Sequence, residues 1–272
     1  MEQNTHLKSD INIQDIIQIA REAGELILEV YAREDLFVEL KKDDSPLTLA
    51  DRKSHEHIKA RLNELYPDIP LVSEEQRNLP YQERKDWPVY WLVDPLDGTK
   101  EFIKRNGEFT VNIALIRNRR SVLGVVHVPW KKVLYFAEKG KGAFKIDEEG
   151  KESRISAVSE IPEKKIHVVA SRSHLSEMVV KYVEKLKKDF DEVEYVAAGS
   201  ALKFGLIAEG KAHVYPRLAP TMEWDTGAGQ IVVEEACGLV IQADSGEPMI
   251  YNKESLVNPY FIVYGCEELR KY

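Results

Sequence analysis

Residues 12–33 carry apolar side chains at Ile13, Ile16, Ile17, Ala20, Ala23, Ile27 and Val30, with polar residues between them. That spacing predicts an amphipathic helix, and Asp10 or Asn12 is placed to cap its start. The charged stretch 39–46, "ELKKDDSP", reads as a strand end and a loop. A second helix is predicted over 48–67, where Thr48 and Asp51 have capping-box spacing and Pro67 supplies the stop. Two short apolar runs follow, "IPLVSEE" at 69–75 and "YWLVD" at 90–94, and each reads as a strand that ends in acids. From Phe109 to Ile146, short strands alternate with turns, which predicts an antiparallel meander.

The pattern then changes. Residues 147–165 are polar and poor in large apolar groups, so the best boundary falls there, and the expected halves are 1–160 and 161–272. Beyond it, strands are predicted at 166–171, 192–200, 211–218, 238–242 and 258–265. Helices are predicted at 174–190, 201–210 and 223–238, so the second half alternates α and β. Gly227, Ala228 and Gly229 would let the last of these helices approach a neighbour closely. No internal repeat or low-complexity tract interrupts the chain.

Composition narrows the function classes. The 272 residues are 43% hydrophobic, enough for a substantial core, and 31% charged. A formal net charge of -8 argues against a general nucleic-acid binder, and an anionic substrate would need placed cations or metal ions. Cys237 and Cys266 lie in no CxxC or zinc-like spacing and are expected to be two core thiols in a reducing compartment. No apolar signal core opens the sequence and no run approaches a membrane span, so the expected location is cytoplasmic.

The stretch "WLVDPLDGTKEF", 91–102, raises the chemical question. Pro95 fixes φ and Gly98 permits a tight or left-handed turn, which together fold Asp94 and Asp97 toward one point at a strand end. Two carboxylates so close repel unless a cation lies between them. A hard divalent ion such as Mg²⁺ suits them, with the Leu96 carbonyl as a further oxygen donor. An ordinary turn uses the same residue types. An EF-hand fails, because position twelve counted from Asp94 is Arg105. An aspartyl-nucleophile DxDxT motif fits poorly, because these acids are three apart rather than two.

Glu74 and Glu75 end another strand, and Asp225 opens the helix behind Trp224; solvated surface and a helix-start acid are the ordinary readings of these positions. The hydroxyl of Thr99, with the N–H groups of Gly98 and Thr99, is placed to face a phosphate. A Thr hydroxyl is a poor base alone, but paired with a carboxylate such as Asp51 it can position and deprotonate water. Asp51 is otherwise just the capping acid.

"VSEE", "WLVDPLDGT" and "EWDTGAG", in that order, resemble the Mg²⁺-dependent phosphatases of the inositol monophosphatase superfamily over roughly residues 12–265. "DGTKEF", "ASRSH" (170–174), "GSALK" (199–203) and "YPRLAPTMEWD" (215–225) are similar to its CysQ-type 3'(2'),5'-bisphosphate nucleotidases. The resemblance implies an α/β (α+β) fold, the layered αβαβα sandwich of the inositol monophosphatase/fructose-1,6-bisphosphatase type, with the active site between the halves. It implies that Glu74, Asp94, the Leu96 carbonyl, Asp97 and Asp225 hold two or three Mg²⁺ ions. Glu75 would support them, and Asp51 and Thr99 would activate the attacking water. Ser200, Lys203 and Arg217 would bind the phosphate that is not cleaved, at a distance from the metals, with His174 near the nucleotide. Without the resemblance, His174 reads as structural and the two cations as surface charges.

The implied reaction is hydrolysis of the 3'-phosphate of adenosine 3',5'-bisphosphate to AMP and phosphate, without a covalent intermediate and with sensitivity to Li⁺. An inositol or broad sugar-phosphate phosphatase is the near alternative, and an inactive nucleotide- or metal-sensing protein the distant one. The expected partner is the small nucleotide, with no nucleic acid. A homodimer and peripheral contact with the inner membrane stay open.

Overall fold

The computed structural model describes residues 11–34, 36, 39–40, 46–76, 79–170 and 176–272. Helix α1 (Ile13–Tyr31) starts where the periodicity does, with Asn12 accepting the Gln14 N–H at 3.1 Å. Asp10, the other capping candidate, lies outside the described residues. After a two-residue pairing of β1 (Glu39–Leu40) with β2 (Pro46–Leu47) comes α2 (Leu49–Leu65). The Thr48–Asp51 capping box opens α2: the Thr48 N–H and hydroxyl both donate to Asp51 Oδ2, at 2.7 and 2.6 Å.

Then follow β3 (Leu71–Ser73), the short α3 (Tyr81–Arg84), β4 (Val89–Asp97), the short α4 (Thr99–Ile103), β5 (Thr110–Arg117), β6 (Arg120–Val128), β7 (Val133–Glu138), β8 (Gly142–Ile146) and β9 (Glu152–Ile155). Strands β3 to β9 form one sheet in sequence order, antiparallel except at β3/β4. The meander is as predicted, with one strand more. β9 lies inside the stretch read as a boundary; its side chains are mostly exposed at a sheet edge, so no apolar alternation announced it.

Period-two alternation splits this sheet between two cores. Trp91, Val93, Ile113, Leu115 and Val125 pack with Ile16, Ala20, Ile27 and Ile58 of α1 and α2. Tyr90, Leu92, Ala114 and Val126 face the other way. Each Val, Leu or Ile among them contributes about 1.5–3 kcal/mol when fully buried.

The chain continues with β10 (Lys165–Ala170), α5 (Glu177–Leu186), β11 (Glu192–Ala197), α6 (Leu202–Ala208), β12 (Val214–Arg217), α7 (Glu223–Glu235), β13 (Leu239–Gln242) and β14 (Phe261–Tyr264). The second sheet runs β11-β10-β12-β14-β13, with parallel pairs at β10/β11 and β10/β12 and antiparallel pairs about β14. Helices α6 and α7 fill the layer between the sheets: Phe204, Trp224 and Ile231 share a core with Leu92 on one side and Tyr215 and Val263 on the other. Val179, Val183 and Leu186 of α5 cover the outer face through Ile166, Val168 and Val214. The order of layers is therefore α, β, α, β, α, and α7 is buried on nearly all sides.

One expectation changes. Cys266 is a buried thiol, but Cys237 is exposed, because it leaves the end of α7 with φ 71° at the surface. Among the described residues, no helix is long and apolar enough to cross a membrane.

Candidate active site

In a regular strand, residues three apart point to opposite faces. Asp94 and Asp97 escape this by an irregularity in β4. Asp94 pairs with Asn112 and Asp97 with Thr110, so β4 uses three steps where β5 uses two. The extra residue, at Pro95–Leu96, turns both acids to the face that looks onto α7. Pro95 has no N–H to lose from the ladder there. Leu96 N–H donates back to Asp94 Oδ1 at 3.1 Å, and Ser54 Oγ of α2 donates to the Pro95 carbonyl at 2.7 Å, so the bulge is tied from both sides. Gly98 ends the turn at φ 89°, and a Cβ there would stand 2.0 Å from Ser200 Oγ, so glycine is required on two counts.

Glu74 heads a short 3₁₀ turn directly after β3, the parallel neighbour of β4. Glu75 beside it donates its N–H to Ser73 Oγ at 3.4 Å. Asp225 is the third residue of α7, and its Oδ2 accepts the Met222 N–H at 2.8 Å. It is thus a helix-start acid, as its position suggests, and also a member of the cluster. Asp94, Asp97 and Asp225 each bring a carboxylate oxygen within 4.8 Å of the others.

The electrostatics follow from this crowding. Burial, and then the charges of Glu74, Asp97 and Asp225, push the Asp94 carboxyl well above the usual range. Burial also lifts Asp225 to about 8, helped by the charge of Asp97. Asp97 rises only to about 6, because Lys203 and Arg217 oppose the effect of burial. Three hard oxygen donors, Asp94 buried and Asp97 and Asp225 opening onto a cavity, form a site that a divalent cation fits.

Asp51 is buried beneath the bulge. Its Oδ1 accepts the Thr99 hydroxyl at 3.2 Å while its Oδ2 serves the helix cap, so the capping role and the pairing with Thr99 coexist in one carboxylate. Thr99 Oγ1 also lies 3.4 Å from the Leu96 carbonyl.

A cavity of about 440 Å³ opens from the acids, and Lys203 and Arg217 line it together with Asp97 and Asp225. The two cations are therefore not remote from the carboxylates, as the sequence suggested; their charges act on Asp97 directly. Lys203 is 7% exposed, donates to the Ser200 carbonyl at 3.3 Å and stands 5.6 Å over the Tyr215 ring. Arg217 donates one N–H to Pro220 O at 3.3 Å, and its buried Nε has no partner among the described residues. Ser200, at φ 50°, directs its hydroxyl to the carbonyls of Asp97 and Glu108, at 2.9 and 2.8 Å, and so braces the turn. His174 lies outside the described residues. Lys100 and Lys104 also line the cavity; their spacing of four, one helical turn, was the available signal, but it reads equally as surface charge.

Known proteins resemble this chain in sequence and fold. The Inositol monophosphatase family model matches residues 10–266. The chain is 45% identical to the 3'(2'),5'-bisphosphate nucleotidase CysQ of Salmonella typhimurium, over 92% of this chain and 98% of that protein. The crystal structure of CysQ from Bacteroides thetaiotaomicron superposes with a TM-score of 0.82 at 48% identity, covering 92% of this chain and 96% of the other. An IMPase of Thermotoga maritima shares the fold, with a TM-score of 0.77 at 24% identity over 95% and 94% of the two chains. A family model spanning nearly the whole sequence, a relative close to half identical and the same layered architecture together mean that the chain belongs to the inositol monophosphatase family.

Proposed function

We propose that this chain is a Mg²⁺-dependent 3'(2'),5'-bisphosphate nucleotidase that releases the 3'-phosphate of adenosine 3',5'-bisphosphate as inorganic phosphate and leaves AMP. The observation that carries the reading is a cavity in which Lys203 and Arg217 face Asp97 and Asp225, two members of a cluster of three convergent carboxylates, in a chain 45% identical to a nucleotidase of that name.

Glu74, Asp94, Asp97, Asp225 and the Leu96 carbonyl would hold the metal, as two or three ions. Bound there, Mg²⁺ supplies Lewis-acid charge at the phosphoryl group and lowers the pKa of water. The rest falls to the chain. Thr99 gives its proton to Asp51, which leaves the hydroxyl oxygen free to accept one from the attacking water, with Asp51 as the final base. The backbone at Gly98 and Thr99 faces the phosphate that is cleaved. Lys203, as a point charge, and Arg217, with its fork of donors, grip the other phosphate and so orient the nucleotide for in-line attack. Ser200 keeps Lys203 and the Asp97 turn in register, and His174 contacts the nucleotide. In this reading 1–160 supplies most metal ligands, and 161–272 supplies Asp225 and the nucleotide side.

Phosphate release with Mg²⁺ tests the proposal. Adenosine 3',5'-bisphosphate is expected to turn over with a higher kcat/KM than inositol 1-phosphate. The reverse order would replace the specificity, and no release from either would overturn the enzyme reading.

A further inference from the structure

Asn112 has no role so far. It is 1% exposed, and both its Oδ1 and its Nδ2 are buried without a hydrogen-bond partner among the described residues. An orphaned buried polar group forfeits its hydration without replacement, so an amide with two of them asks for an explanation.

Its position supplies one. Along β5, Val111 and Ile113 belong to the core beneath α1 and α2, while Ala114 and Ile116 belong to the opposite layer. Asn112 therefore points to the α7 side, as Asp94 does, and the two are direct cross-strand partners. Such partners have Cβ atoms about 4.5–5.5 Å apart, within reach of an amide and a carboxylate. Two residues along, Thr110 already does the equivalent for the other acid: it is cross-strand to Asp97, and its hydroxyl lies 3.5 Å from Asp97 Oδ2. The bulge in β4 converts a spacing of three between the acids into a spacing of two on β5, so Thr110 and Asn112 meet the acids one to one.

We propose that Asn112 is a positioning residue for cation binding: unpartnered among the described residues, its side-chain amide turns to donate to Asp94 when a divalent cation is seated and fixes how that carboxylate presents its oxygens to the ion. The inference rests on the metal-site reading above. Leu96 N–H already holds Oδ1 of Asp94. A second donor from β5 leaves the carboxylate a single orientation. Outer partners of this kind are worth about 10–100-fold in metal affinity.

Isothermal titration of Mg²⁺ into the full chain separates the two claims. Wild-type protein that takes up no Mg²⁺ would overturn the functional reading itself. Given wild-type binding, Asn112→Leu is expected to weaken Mg²⁺ by about 10–100-fold. Its thermal midpoint without Mg²⁺ should stay level or rise, because an orphaned amide is exchanged for apolar volume. Unchanged Mg²⁺ affinity in Asn112→Leu would overturn the inference alone. If Asn112→Leu does not fold, the pair Asn112→Ser and Asn112→Ala replaces it: these differ by one hydroxyl, and the Ser variant should bind Mg²⁺ more tightly. Equal affinity in that pair would also overturn the inference.

Discussion

Lys203 has two neighbours of opposite meaning, the Asp97 carboxylate and the open cavity. As a nearly buried cation it offsets the clustered acids, and as a cavity wall it offers a site for an anion. Arg217 does the same from β12 and acts on both Asp97 and Asp225. If the pair grips the second phosphate, Lys203→Met or Arg217→Gln should lower kcat/KM for adenosine 3',5'-bisphosphate by roughly 10–100-fold, the equivalent of about 1.5–3 kcal/mol for a hydrogen bond to a charged group. With 3'-AMP, which lacks that phosphate, the loss should be much smaller. Steady-state kinetics on both substrates checks this, and equal losses would mean that the cations only balance the acids. At this scale the sequence was informative where local chemistry was decisive. Asp94, Asp97 and Gly98 announced a crowded turn, and Asp51 announced a cap. It misjudged Lys203 because the distance from α6 to β4 is a tertiary fact, and it took Cys237 for a core residue because a left-handed exit from α7 leaves no trace in composition.

Helix α7 must come very close to the first sheet to bring Asp225 to β4. Glycine permits this at both surfaces. A Cβ on Gly124 of β6 would lie 2.5 Å from the Ala228 carbonyl oxygen and 2.9 Å from its Cα, and a Cβ on Gly229 would lie 2.5 Å from the Phe204 ring. Gly124→Ala should therefore lift α7 off the sheet, because the obstruction is backbone and cannot rotate away. Overpacking of this sort costs about 1–3 kcal/mol, readable as a lowered urea midpoint. Ala228 is one helical turn from Asp225, so Mg²⁺ binding should weaken in the same variant; a stable variant with wild-type Mg²⁺ affinity would show that this contact does not seat the acid. The run "GAG" made close packing legible, and periodicity made α1, α2 and the meander legible. The bulge in β4 was not legible, because register depends on which residues of β5 lie opposite. β9 and α3 were too short and too polar to carry a pattern.

The three acids come from β4 and α7, on opposite sides of the polar stretch 147–165, so packing the chain's two sheets around their shared middle layer brings like charges together. Burial lifts Asp97 to about 6 and Asp225 to about 8, against about 3.9 for an unfolded aspartate. Between those limits the folded state binds more protons than the unfolded one. These two groups therefore make stability without metal fall as pH rises from about 4 to 8, and Asp94, raised in the same direction, adds to the fall. A divalent cation takes the place of the protons, and it competes with them less as pH rises. Two consequences can be read by thermal unfolding in chelator and in Mg²⁺. In chelator, the acid cluster should favour the fold more at pH 5.5 than at pH 8.5. The upward shift in midpoint on adding Mg²⁺ should be larger at pH 8.5 than at pH 5.5. A Mg²⁺ shift that is independent of pH, or larger in acid, would show that the carboxylates do not exchange protons for metal. Glu74→Gln and Asp225→Asn bear on the same point, since each removes a charge from the cluster. Each should raise stability in chelator at pH 8.5, by relieving repulsion, while reducing the gain from Mg²⁺. That opposition marks residues kept together by the ion they hold rather than by the fold they strain.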